Sequence, residues 1–205
     1  MINLIDLFLH LDEYIGIIIQ TYGTATYLIL FLVIFAETGF VFFTFFPGDT
    51  LLFVAGTFAS TGVINIFWLF ILLSLAAILG DSVNYSIGKY FGKEVFLKRH
   101  WVKEENIEKT KDFFERHGGK TIIIARFVPV IRSFAPFVAG IGRMNYVRFL
   151  TFNIVGAIFW TASMLTLGYY FGSIPFVKNN LSIIIIAIII ISWIPIIWTW
   201  IKHKK

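Results

Sequence analysis

The sequence predicts an all-α membrane protein: an inverted repeat of a re-entrant hairpin plus a transmembrane helix, with about four full spans and two opposed re-entrant hairpins in a single domain, residues 1–205. Three observations predict it. Of 205 residues, 58% are hydrophobic and only 14% charged, with a mean hydropathy of +0.83, outside the soluble range. Charge-free runs at Ile15–Ala36, Thr50–Gly80, Phe149–Val177 and Leu181–Ile201 each reach the roughly 20 residues that cross a hydrocarbon core as a helix. Two short breaks place proline between charges: Glu37 to Phe46-Pro47-Gly48-Asp49, and Arg126-Phe127-Val128-Pro129-Val130-Ile131-Arg132.

Residues 1–14 lack a basic signal-peptide region and set Asn3, Asp6, His10 and Glu13 on one helical face, the pattern of an interfacial helix. Ile15–Ala36 is the first span. Residues 37–62 form the first hairpin, with Pro47 and Gly48 near its tip, and Ile64 to about Tyr85 returns across the membrane. Residues 93–120 hold eight basic and six acidic residues with i,i+4 pairs, a solvated amphipathic segment. Residues 121–142, broken by Pro129 and Pro136, form the second hairpin, whose ten-residue arms rise roughly 15 Å, half the core. Spans at Phe149–Phe171 and Leu181–Ile201 complete the chain. Nine of the 17 basic residues lie between Lys89 and Lys120, and the chain ends Lys202-His203-Lys204-Lys205. That asymmetry follows the positive-inside rule and places both termini in the cytoplasm. It also accounts for the net charge of +5 without nucleic acid.

The halves echo each other. Val54-Ala55-Gly56 and a span ending Tyr90-Phe91-Gly92 answer Val138-Ala139-Gly140 and a span ending Tyr170-Phe171-Gly172. A unit with one crossing enters upside down the second time, the architecture of transporters with sites at the repeat interface.

The chemistry is concentrated in the breaks. The absence of cysteine excludes disulfides and thiolate sites, and His10, His100, His117 and His203 have no metal-ligand spacing. No metal, cofactor or catalytic residue is expected. An ionised group near the bilayer centre costs about 2.5–3.5 kcal/mol on insertion scales, so these charges need partners or water. Desolvation disfavours an ionised carboxyl, making Glu37 and Asp49 candidates for proton coupling. Arg126 and Arg132 stay charged, and their forked donors match phosphate oxygens, which suits a lipid headgroup. The plainer alternative is that the two carboxylates only neutralise the two arginines. Asp81, Asn84, Tyr85 and Gly88 share a helix face, either lining a pathway or packing. Asn153, Gly156 and Trp160 share another, expected to pack.

Phe35-Ala36-Glu37-Thr38-Gly39, Phe46-Pro47-Gly48-Asp49 to Val54-Ala55-Gly56, Gly80-Asp81-Ser82-Val83-Asn84-Tyr85, and His117-Gly118-Gly119-Lys120-Thr121 through Ala125-Arg126-Phe127-Val128-Pro129 to Ala135-Pro136-Phe137-Val138-Ala139-Gly140 resemble the DedA family, also called the VTT or SNARE-associated domain family. The resemblance spans nearly the whole chain. It implies a bacterial inner-membrane protein with two opposed re-entrant hairpins, in which the acidic pair at Glu37 and Asp49 and the arginine pair at Arg126 and Arg132 are essential. It further implies proton-motive-force-dependent translocation of a lipid such as undecaprenyl phosphate or phosphatidylethanolamine. The expected partners are therefore membrane lipids and protons, with a homo-oligomer left open. A proton-coupled small-ion antiporter is the alternative, and a non-enzyme is expected because no histidine lies within a hairpin to serve acid–base chemistry.

Overall fold

The computed structural model describes residues 11–43, 48–92 and 119–174, all helices and connecting turns. Pro47, most of the N-terminal interfacial segment, nearly all of 93–120 and the Leu181–Ile201 span lie outside the described residues. The helices are α1 (Leu11–Tyr22), α2 (Thr26–Gly39), α3 (Gly48–Ser60), α4 (Ile66–Ile87, extended by a π-helical turn at Gly88–Gly92), α5 (Lys120–Ala125), α6 (Pro129–Ile141) and α7 (Tyr146–Gly172). Three stretches, Glu13–Gly39, Ile66–Gly92 and Tyr146–Gly172, are long and apolar enough to span a membrane, at 27 residues each, or about 40 Å. They contain the expected spans Ile15–Ala36 and Phe149–Phe171 and, but for its first two residues, Ile64–Tyr85. Leu28, Phe67, Trp68 and Phe159 are more than half exposed, a surface suited to lipid rather than water.

The chain forms two compact units, one of Met1–Val33, Phe46–Leu73 and Thr161–Lys205, the other of Ile34–Phe45 and Ser74–Trp160. In the first, α1 packs on α3, where Gly16 admits the Phe58 ring. Asn65 caps α4 by accepting the Phe67 N–H at 2.9 Å, and its own N–H donates to the Tyr27 hydroxyl at 2.7 Å. The turn between α3 and α4 needs Gly62, whose φ is +80°.

In the second unit, α5 and α6 pack against each other, and α6 packs along the Gly88–Gly92 turn. The break between them follows from Pro129: Val128 is extended at φ −119° and ψ 106°, as residues before proline must be, and Pro129 opens α6 where a missing N–H costs nothing. Pro136 behaves otherwise than the sequence reading had it. It sits inside α6 without ending it. The adjoining Ser133 carbonyl accepts from the Asn84 amide at 2.7 Å, so a neighbouring helix supports the backbone there. Tyr85, Ile122, Ala125, Ala135, Ala139, Met144 and Phe149 form this unit's apolar cluster.

One packing device occurs in both units. In the second, a Cβ on Gly88 would strike the Phe137 carbonyl, one on Gly140 the Tyr85 carbonyl, and one on Gly92 the Ile141 side chain. In the first, Gly168 meets Phe53, Gly56 meets Leu165, and Gly172 meets Thr57 in the same way. Small residues let helix backbones approach where hydrophobic driving force is absent, as in a membrane.

Candidate functional site

Among the described residues, the second unit buries four charged side chains: Glu37, Asp81, Arg126 and Arg132. Arg126 follows α5 in the turn that precedes Pro129, and its N–H bonds to the Ile123 carbonyl at 3.3 Å. Its Nη2 donates to Asp81 Oδ2 on α4 and to Asn153 Oδ1 on α7. Asn153 is itself oriented, because its Nδ2 donates to the Ile78 carbonyl at 3.0 Å. Gly156, one turn further along α7, leaves space for the arginine stem: a Cβ there would stand 3.0 Å from Cδ and 3.1 Å from Nε. Nε is buried and makes no hydrogen bond.

Arg132 lies in the first turn of α6 and donates through Nη2 to Glu37 Oε1, near the C-terminal end of α2. Both guanidiniums approach the ring of Trp160, Arg132 at 4.8 Å and Arg126 at 6.0 Å from its centroid. Trp160 is only 1% exposed. Desolvated contacts of this kind are worth about 2 kcal/mol. The ring therefore helps hold two like charges in one neighbourhood, while each carboxylate neutralises one of them.

Asn84 and Tyr85 hold this frame together. The Asn84 amide donates to the carbonyls of Thr38 at 3.1 Å and Ser133 at 2.7 Å, tying α2 and α6 to α4. The Tyr85 hydroxyl donates to the Met144 carbonyl, and its ring stacks on Phe149 at 4.5 Å. Tyr85 is thus held by both its hydroxyl and its ring.

Asp49 lies in the first unit, half-buried in the first turn of α3, where a carboxylate suits the helix dipole. Gly48, buried, opens that helix. Sequence reasoning paired the arginines with Glu37 and Asp49 in its plainer alternative, whereas Arg126 is neutralised by Asp81. Asn153 and Trp160, expected to pack, meet the guanidiniums. The available signal was a carboxylate inside a long crossing, which demands a partner. Among the described residues, no group of three or more metal-ligating side chains occurs.

The family model described as VTT domain matches residues 46–170. Protein DedA of Escherichia coli (strain K12) is 46% identical over 206 residues, covering 98% of this chain and 94% of that protein. An uncharacterized membrane protein of Mycobacterium leprae (strain TN) is 40% identical over 176 residues, covering 84% of this chain and 79% of its own length. Inner membrane protein YqjA of Escherichia coli (strain K12) is 31% identical over 152 residues, covering 73% and 69%. No solved structure gives a significant match.

Proposed function

Because the chain belongs to the VTT-domain (DedA) family and is a membrane protein, we propose that it is a lipid translocase driven by the proton motive force. Its substrate is a phosphate-bearing lipid, undecaprenyl phosphate or a phospholipid such as phosphatidylethanolamine, moved in the bacterial inner membrane by a non-enzymatic protein with cytoplasmic termini. One observation carries this reading: two buried guanidiniums, each on its own carboxylate, converge on one tryptophan.

Glu37 is the proton-responsive member. While ionised it occupies Arg132. Protonation removes that charge, and the guanidinium, which cannot itself lose a proton, then offers its fork to a phosphate. Arg126 supplies a second positive charge beside it. Val128 gives α6 no side-chain cap, and helix starts attract anions. Asp49 is the second proton-coupling carboxylate on this reading.

The recurring glycine contacts support an inverted repeat, since corresponding residues of the two Val-Ala-Gly arms meet corresponding residues of the two Tyr-Phe-Gly crossings. The break at Arg126–Val128 suits a re-entrant hairpin, because irregular backbone within a bilayer must be sheltered by protein or water. The test is headgroup exposure in proteoliposomes under an imposed pH gradient. Translocation should accelerate with the gradient and fall at least tenfold in Arg132→Ala. Lipid-independent ion flux abolished by Glu37→Gln would show an antiporter instead.

A further inference from the structure

The second unit carries an open, mostly apolar groove of about 400 Å³ against α4. Its floor is one helical stripe from Leu79 through Ser82, Val83 and Ser86 to Phe91, and Phe35 and Tyr146 form its walls. The 12 residue-to-residue steps from Leu79 to Phe91 rise about 18 Å at α-helical spacing, close to the depth of a single leaflet, half of the roughly 30 Å core. The two hydroxyls in the floor are satisfied internally, Ser82 by the Ile78 carbonyl at 2.8 Å and Ser86 by the Ser82 carbonyl at 2.7 Å. The floor thus asks nothing polar of an occupant. Positive charge stands at one end: exposed Lys89 lies over the Tyr90 ring, its Nζ 5.6 Å from the centroid. The neighbouring linker before Tyr146, fastened to α4 by the Tyr85 bond to Met144, carries exposed Arg143.

From this shape and charge we infer that the groove is a docking site for one anionic glycerophospholipid of the surrounding leaflet, with an acyl chain along Leu79–Phe91 and its phosphate at Lys89. An open, mostly apolar groove along a helix stripe suits an acyl chain, and the cation at Lys89 beside Tyr90 suits a headgroup. Basic pockets between membrane helices bind anionic headgroups by the same logic. The inference rests on the membrane placement of α4 and not on translocation, so either can fail alone.

The test is native mass spectrometry of the full chain released from micelles containing phosphatidylglycerol or phosphatidylcholine. The wild type should retain one phosphatidylglycerol in preference to phosphatidylcholine. Lys89→Gln should reduce that preference about fivefold, the effect of one lysine near an anionic surface. Val83→Trp, which fills the floor, should remove the retained lipid of either kind, with Ser86→Phe as a second filling variant should the first not fold. The double variant Glu37→Leu/Arg132→Met, which removes that ion pair without leaving a buried charge, should keep it. Retention unaffected by filling, a preference unaffected by Lys89→Gln, or loss of the lipid in the folded double variant would each overturn the assignment.

Discussion

Removing the carboxylate of Asp81 should be among the most damaging single changes in the second unit. Asp81 and Arg126 are both nearly inaccessible, so Asp81→Ala leaves a guanidinium buried with Asn153 as its remaining hydrogen-bond acceptor. Breaking a buried pair from one side costs about 3–5 kcal/mol. For a chain of this size, that corresponds to a fall in melting temperature of about 6–20 °C at 2–4 °C per kcal/mol. The double variant Asp81→Leu/Arg126→Met removes both charges and should recover much of the loss, giving a coupling of about 2 kcal/mol or more. The assay is thermal unfolding of the purified chain in detergent, run as a double-mutant cycle beside a second cycle for Glu37 and Arg132. Crossed cycles, Arg126 with Glu37 and Arg132 with Asp81, should give couplings at least about 1 kcal/mol smaller. Crossed couplings equal to the direct ones would refute the pairing from which the site is built.

Three further outcomes follow from the packing. Gly88→Val and Gly168→Val should each destabilise by about 1–3 kcal/mol or more, because the added carbon meets a carbonyl of the facing helix; thermal unfolding of both variants checks this. Tyr85→Phe removes the bond to Met144 but keeps the stack on Phe149, so its melting point should fall by the equivalent of about 0.5–1.5 kcal/mol, plus any cost of leaving that carbonyl unpaired. Arg143 holds a left-handed φ of 52°; Arg143→Gly should therefore stabilise by about 1 kcal/mol in the same assay.

Spans were legible because apolar length alone identifies them: Ile15–Ala36 and Phe149–Phe171 fall within two of the three long helices, and the third, Ile66–Gly92, holds all of Ile64–Tyr85 but its first two residues. The break before Pro129 was legible for a local reason, the restriction that proline places on Val128. Pro136 was not, because whether a proline ends a helix depends on what supports the backbone around it, here Asn84 on the carbonyl of Ser133, 49 residues further along the chain. The same limit applies to the site. Glu37, Arg126 and Arg132 announced themselves as charges in an apolar chain, but which acid meets which base is fixed by helix packing. Asp81 lies 45 residues from Arg126, and no local pattern links them. Trp160 was hidden differently, since an aromatic residue on a membrane helix has a ready role in packing. Its position against both guanidiniums follows from Asn153 and Gly156 on the same helix, which bring α7 close to Arg126.

The most direct test is whether Arg132 and Glu37 act together in moving a phosphate headgroup. Proteoliposomes holding the wild type, Arg132→Ala and Glu37→Gln should be compared for appearance of a phosphate-bearing lipid on the trans face, with and without a pH gradient. The wild type should show gradient-stimulated exposure, Arg132→Ala should lose it, and Glu37→Gln should keep a residual rate that no longer responds to the gradient. Wild-type rates in Arg132→Ala, or an undiminished gradient response in Glu37→Gln, would contradict that joint action.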